Sequence, residues 1–453
     1  MVFTSFSFLF LFLPLFLAVY ALTPQRWRNL TLLVFSWVFY AWWRLDFLPL
    51  IVAIAAWSWA TGGWIASARD NARRQRLCLA IAMPLLALVY FKYANLLVGS
   101  AVAMGAPASG WQAVLLPIGL SFFVFGAISY SVDVYRGTVP PEPSFIDYAT
   151  YQSMFGHLVA GPVVRYAWVA ARLHERPFQR AEFATGCERF LLGFASKVLV
   201  ADTLAPLVDS VFSLAAPSAA DVALGVVAYA LQLYFDFAGY SGMAIGLGLM
   251  VGLRFPENFN HPYLATSLAD FWRRWHISLS SWLRDYLYIP LGGSRHGAVQ
   301  ASRNLLITMG LGGLWHGASW TFLVWGLWHG AGLVVGRIWR ASDAPALPAL
   351  AGHVLTLVFV LLGWLLFRAA NWDEAMLMGG ALLGGHGWAM SSALAAVLRP
   401  NQVLMLLIGG ALIYLPLAWR GPALTSWLAL PLFLCALWVL QSRSVVPFLY
   451  FQF

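Results

Sequence analysis

The feature that most constrains this chain is a recurrence. Runs of mostly apolar residues return along its whole length, and charge is confined to the short segments between them. A helix that spans a bilayer needs about 20 such residues. Candidate spans are 3–22, 29–43, 47–66, 78–98, 112–132, 190–213, 222–251, 304–321, 322–340, 353–370, 402–419 and 424–441. Only 10% of the 453 residues are charged, against about 25% in a soluble domain. The deficit is not local, so the expectation is an all-α, polytopic bundle of membrane helices forming one integral membrane domain, 1–453.

The net charge of +9 would suggest nucleic acid in a soluble protein. Here the arginines gather between apolar runs, which is a topology signal, and no nucleic-acid role is expected. The stretch Met1 to Leu22 lacks a basic segment before its apolar run, so it reads as an uncleaved first span rather than a signal peptide. Arg26 and Arg28 follow it and place the first loop in the cytoplasm. Arg69, Arg73, Arg74 and Arg76 fall on the same side, as do Arg165, Arg172, Arg176, Arg180 and Arg189. The uncharged loop 99–111 falls outside. Arg44 and Asp46 interrupt the run 29–66, which is therefore two spans joined by a tight turn.

Two stretches look half-inserted, Ser144 to Arg165 and Met376 to Val397. The first is broken by His157, Gly161 and Pro162, and the second is rich in glycine and alanine, with His386 inside. Irregular backbone at membrane depth is tolerated where protein buries it or where it lines a wet cavity. A central chamber ringed by re-entrant or interfacial helices is the resulting expectation.

Polar residues inside such a chain are candidates for function. Asp236 lies in an apolar span and needs a partner, with a tyrosine or arginine of a neighbouring helix as the structural choice and a chamber wall as the functional one. Residues 254–303 mix arginines with Trp272, Trp275 and Trp282, the pattern of an amphipathic interfacial helix. Its arginines suit either a lipid anchor or a phosphate-bearing donor. His276 follows Arg273 and Arg274. His316 sits in an apolar segment between Trp315 and Gly317, and imidazole is the side chain best suited to accept a proton near neutral pH. His329 lies 13 positions beyond His316. In one straight helix that is about 20 Å of rise and about 220° of rotation, which would turn it away. A shared site would need a break, for which Gly317 and Gly326 are the candidates; otherwise His329 is structural. The cysteines Cys78, Cys187 and Cys435 are far apart, and no metal-ligand spacing occurs on one helix, so neither a disulfide framework nor a metal is expected.

The segment Phe271-Trp272-Arg273-Arg274-Trp275-His276-Ile277-Ser278-Leu279-Ser280 resembles the membrane-bound O-acyltransferase family, together with Trp282, Arg284-Asp285-Tyr286 and Pro290-Leu291-Gly292-Gly293. So do Tyr234-Phe235-Asp236-Phe237, Phe255-Pro256-Glu257-Asn258-Phe259 and the ending Pro447 to Phe453. The resemblance implies a helical bundle around a chamber, with His316 as the histidine of a buried helix and His276 as its upstream polar companion. His316 would be the general base, and His276 would polarise the carbonyl or orient His316. Arg273, Arg274 and Arg284 would hold the donor. The donor implied is acetyl-CoA, used as a substrate with no resident cofactor.

The implied setting is a bacterial inner membrane. There the acetyl group passes toward an exported polysaccharide, alginate first and cellulose or peptidoglycan as alternatives, with periplasmic acetyltransferase proteins as partners. A transporter or export pore without chemistry is the competing class.

Overall fold

The computed structural model describes residues 1–107, 110–158, 161–342, 344–415, 422–442 and 448–449. Among these the secondary structure is helical, with no β-strand. Five helices are long and apolar enough to cross a membrane: Leu45–Ala66, Asp70–Ala103, Arg180–Phe212, Ala219–Met250 and Ala349–Arg368. Phe8–Leu22, Pro400–Tyr414 and Ser426–Gln441 are apolar but shorter. At 1.5 Å per residue a helix of 15 residues covers only about 23 Å, less than the hydrocarbon thickness. The expected spans 304–321 and 322–340 form helices Ala298–His316 and Trp320–Ala341. Neither is among the five, because glycine, tryptophan and polar residues dilute their apolar character.

The chain divides into two compact units, Met1–Phe190 with Met243–Pro256, and Leu191–Gly242 with Glu257–Phe453. In the first, helices Arg28–Ala41 and Leu48–Ala66 are separated at Arg44 to Phe47, where the sequence put the turn. Arg44 and Asp46 pair there in the open, a contact worth little by itself. The core of this unit is aromatic. The Phe155 ring meets those of Phe12, Phe16 and Phe39 at centroid distances of 5.2, 5.1 and 5.6 Å. Phe155 belongs to the stretch 144–165, which forms two short buried helices, Phe145–Ser153 and Phe155–Leu158. His157, within the second of them, is buried and donates from Nε2 to the Tyr151 carbonyl at 2.9 Å. Residues 159 and 160 lie outside the described residues.

The second unit holds a larger core. Leu204, Val208, Tyr229, Leu233, Trp275 and Trp364 are among its most buried members. The stretch 376–397 belongs to this unit but does not form a buried break. Helices Trp372–Leu382 and Ser392–Val397 are joined by an open turn in which Leu383 and Trp388 are largely exposed. The glycines read as half-insertion instead serve the turn, since Gly384 and Gly387 take positive φ.

Residues 254–303 are not one amphipathic helix either. They break into Leu268–Arg274, Ile277–Leu283 and a π-turn Arg284–Tyr288. The first break is at His276, whose φ of 44° is left-handed. Gly292, Gly293 and Gly297, also at positive φ, turn the chain into the next helix.

That next helix carries the site. Ala298–His316 ends at Gly317, and Trp320–Ala341 starts after Ser319, whose Oγ accepts from the Thr321 amide at 3.3 Å. The two helices fold back on one another with almost no gap. A Cβ on Gly313 would come within 2.1 Å of the Phe322 carbonyl oxygen, and one on Gly326 within 2.3 Å of that of Met309. Small residues here let backbones touch, as between membrane helices generally.

Candidate functional site

Helix Ala298–His316 presents Thr308, Gly312 and His316 at four-residue intervals, which puts them on one face. Ser280, Arg284 and Tyr288 repeat at the same interval through the neighbouring short helix and π-turn. These two stripes, with Trp272 and Trp325, wall a cavity of about 220 Å³. Its lining is mostly apolar, and His316 contributes an imidazole to the wall while remaining only 5% exposed. A cavity of this kind, apolar with a few convergent polar groups, is the usual form of a small-molecule site.

His276 comes to His316 from a different segment. It is fully buried, and its ring centroid lies 6.1 Å from that of His316 and 4.6 Å from that of Phe237. The left-handed backbone at His276 is what turns the chain there. Left-handed conformations are uncommon for a side chain with Cβ, although histidine tolerates them better than most. The conformation is held by Asn258. The Asn258 carbonyl accepts from the Ile277 amide at 3.0 Å, and its Oδ1 accepts from the Ser278 hydroxyl at 2.6 Å. Its own amide donates to Ser241 Oγ at 3.0 Å. Burial pushes the His276 imidazole down to about 3, so the ring is neutral at any ordinary pH. Asn258 is 1% exposed, and its role was invisible in sequence beyond its place in a matched motif.

The turn at Gly317 also changes the expectation for His329. The two histidines sit on packed helices rather than on one, so 13 residues no longer carry His329 away. Trp325 touches both, its ring 5.1 Å from His316 and 4.9 Å from His329. His329 does not line the cavity. It is fully buried in an aromatic box with Phe271 and Trp272, and Gly363 stands so close that a Cβ there would lie 2.8 Å from Nε2. Of the two breaks considered, Gly317 supplies the turn and Gly326 the close helix contact.

The three arginines part company. Arg284 lines the cavity, with its guanidinium also paired to Asp285 through Nε at 2.7 Å. Arg273 and Arg274 do not line it. Arg274 pairs with Asp270 at 3.0 Å, and Arg273, with a largely exposed side chain, lies 3.5 Å from the same carboxylate. The helix Leu268–Arg274 ends before the turn at His276, which directs these two side chains elsewhere.

Asp236 is not part of the cavity wall either. Its partner is neither a tyrosine nor an arginine. Asp236 Oδ1 lies 3.3 Å from Lys197 Nζ, and Oδ2 accepts from the Leu449 amide at 3.0 Å. Lys197 also bonds Asp202. The lysine is 1% exposed within the span Arg180–Phe212, and a single lysine in so apolar a run was the signal that could have found this cluster.

In the first unit Glu142, Asp147 and His174 bring possible ligand atoms within 4.8 Å of one another. These atoms are already engaged. Glu142 accepts from the Ser144 amide at 3.0 Å, the Tyr166 hydroxyl and His174 Nε2, and Asp147 accepts from Asn29. The arrangement reads as a hydrogen-bond network.

Comparison with known proteins fits this geometry into a family. The chain is 48% identical to "Probable alginate O-acetylase AlgI" of Azotobacter vinelandii over 414 residues, covering 90% of this chain and 83% of the relative. It is 44% identical to the protein of that name in Pseudomonas putida over 489 residues, with the full length of both covered. The "Peptidoglycan O-acetyltransferase" of Helicobacter pylori is 33% identical over 418 residues, covering 84% of this chain and 79% of the relative. The sequence pattern of the membrane-bound O-acyltransferases matches residues 3–366, a range that includes both histidines and residues of both compact units. The chain belongs to the membrane-bound O-acyltransferase family.

Proposed function

We propose that this acyltransferase is a membrane O-acetyltransferase that modifies an exported polysaccharide, with alginate as the polymer. The observation that carries the reading is the His316 imidazole in the wall of the 220 Å³ cavity, backed by His276. Family membership makes it a multi-pass acyl-transfer enzyme and sets aside the export pore. The relatives' names support acetyl as the group and a polysaccharide as the destination. The chain works as one integral membrane domain, a reading supported by a family match over residues 3–366 that takes in residues of both compact units.

The chemistry balances simply. An acceptor hydroxyl loses its proton to His316 as its oxygen attacks the thioester carbonyl. The tetrahedral intermediate collapses, the carbon–sulfur bond breaks and the thiolate leaves as the free thiol with the proton that His316 had taken, which restores the neutral base. General-base assistance of this kind contributes roughly 10²–10⁴-fold. His276, neutral and held by its backbone turn, positions the His316 ring. Arg284 at the cavity wall is suited to a donor phosphate, since a guanidinium fork matches phosphate oxygens. The donor is acetyl-CoA from the cytosol, the membrane is the bacterial inner membrane, and periplasmic acetyltransferase proteins receive the group.

The test is acetyl transfer by the purified chain in nanodiscs with radiolabelled acetyl-CoA. Label should move to polymannuronate in the presence of periplasmic partners, and free coenzyme A should appear in step with it. Absence of thioester cleavage under any acceptor would remove acetyl-CoA as donor. Transfer to peptidoglycan but not to polymannuronate would remove alginate.

A further inference from the structure

The first unit contains another chamber, of about 300 Å³, that the acyl-transfer reading does not use. Leu17, Phe178, Phe183 and Leu249 give it hydrocarbon walls, and Arg28 and Arg176 enter the same walls. Arg176 is 4% exposed. One of its terminal nitrogens donates to Asn29 Oδ1, a neutral amide oxygen, and Nη1 is buried without a hydrogen-bond partner among the described residues. Asn29 donates to the Asp147 carboxylate as well, and that carboxylate attracts the Arg176 guanidinium through space.

Arg28 adds a second positive charge. Its Nη1 donates to the Arg176 carbonyl at 3.1 Å, and its guanidinium lies 5.5 Å from the centre of the Tyr20 ring on the chamber wall. The carboxylate on that wall, Glu182, is already taken. It accepts from Arg172 Nη1 at 3.0 Å and from Arg254 Nε at 2.8 Å. Four arginines, Arg28, Arg172, Arg176 and Arg254, therefore stand against two carboxylates, Glu182 and Asp147, four minus two, a local excess of two positive charges.

Burying a guanidinium without an opposite charge is costly, and a like charge beside it adds repulsion. Burial holds the Arg176 guanidinium below its usual range; Arg28 pushes the same way, while Tyr20 and Asp147 offset it only in part. An anion in the chamber would relieve both costs. Arginine forks match phosphate oxygens, and hydrocarbon walls match a chain attached to the phosphate.

We propose that this chamber binds a phosphate ester carrying an apolar chain, as an anionic phospholipid does, with Arg28 and Arg176 holding the phosphate and Leu17, Phe178 and Phe183 the hydrocarbon. The side of the membrane agrees. The loop charges of the sequence put Arg28 and Arg176 on the cytoplasmic face, where basic groups near the surface meet anionic headgroups. A soluble phosphate ester shares the anion but offers nothing to the apolar walls.

The experiment uses the full chain, purified in non-ionic detergent and stripped of lipid, with thermal unfolding followed during titration. Phosphatidylglycerol should raise Tm saturably, while phosphatidylcholine and inorganic phosphate leave it unchanged. Arg176→Gln and Arg28→Gln should each abolish the phosphatidylglycerol shift. Arg176→Gln should also melt no lower than wild type without lipid, because it removes an incompletely compensated charge. If Arg176→Gln does not fold, Arg28→Gln, at a partly exposed residue, carries the test. An undiminished shift in the variants, or an equal shift with phosphatidylcholine, overturns the proposal. A shift with inorganic phosphate as large as with the lipid overturns the assignment to an amphiphile.

Discussion

Two groups of polar residues lie deep in the second unit, and they are built differently. Lys197, Asp202 and Asp236 face one another, and the spare oxygen of Asp236 takes the Leu449 amide. Every charge there has an opposite charge beside it, and none of the three lines the cavity. His276 and His316 are as deeply buried, but they sit among aromatic rings, and one of them opens onto a cavity. In a medium of low dielectric, mutual neutralisation makes a strut, and an imidazole at a cavity wall makes a reagent. Burial of a polar residue alone would not have told the two apart.

The comparison breaks most visibly at Lys197. Lys197→Leu leaves two carboxylates buried without their cation and should cost about 3–5 kcal/mol. The measurement is the folded fraction and Tm in detergent. Activity per folded molecule should stay near wild type. Normal stability in the variant would show that the cluster is no strut.

His276 is the next test. Asparagine also tolerates left-handed backbone, so His276→Asn keeps the turn and removes the imidazole. Turnover should fall about 10²-fold from lost positioning, with KM for the donor little changed. Stability should respond to pH as well. Burial lowers this imidazole to about 3, against about 6.5 in an unfolded chain. The unfolded state therefore binds a proton that the native ring refuses. Its contribution is full above pH about 6.5 and is lost as pH falls toward 3. His276→Asn should flatten that part of the acid limb. An unaltered acid limb would mean that the native ring is protonated after all.

A smaller effect separates the arginines. Arg284→Gln should raise KM for acetyl-CoA about tenfold, the loss of roughly one charge-assisted contact. Arg273→Gln should leave it unchanged, because that side chain is outside the cavity wall. An unchanged KM in both variants would return both to the role of lipid anchor.

These contrasts mark how far the sequence could be read. Helical, membrane-spanning character was plain, because apolar runs need only length and composition. The turn at Arg44 to Phe47 was plain too, since charges interrupt an apolar run there. The approach of His276 to His316 was implied by resemblance alone. It depends on a left-handed residue fixed by Asn258, and no periodicity encodes that contact. His329 shows the opposite failure. Helical geometry carried it away from His316 only because the turn at Gly317 was one of two breaks left open. The arginines of 254–303 were grouped by proximity in sequence. Breaks at His276 and Gly292 send them in different directions, which side-chain charge does not foretell.

The central claim is that His316 acts on the substrate while the paired cluster only supports the fold. It is tested most directly by donor-dependent acetyl transfer with His316→Ala, normalised to folded protein in nanodiscs. Turnover should drop at least about 10²-fold, as loss of a general base requires. The melting temperature and yield should fall only modestly, since one face of the ring borders a cavity while the other packs on Trp325 and Phe367. Transfer within a few-fold of wild type per folded molecule would contradict the account and remove His316 from the reaction.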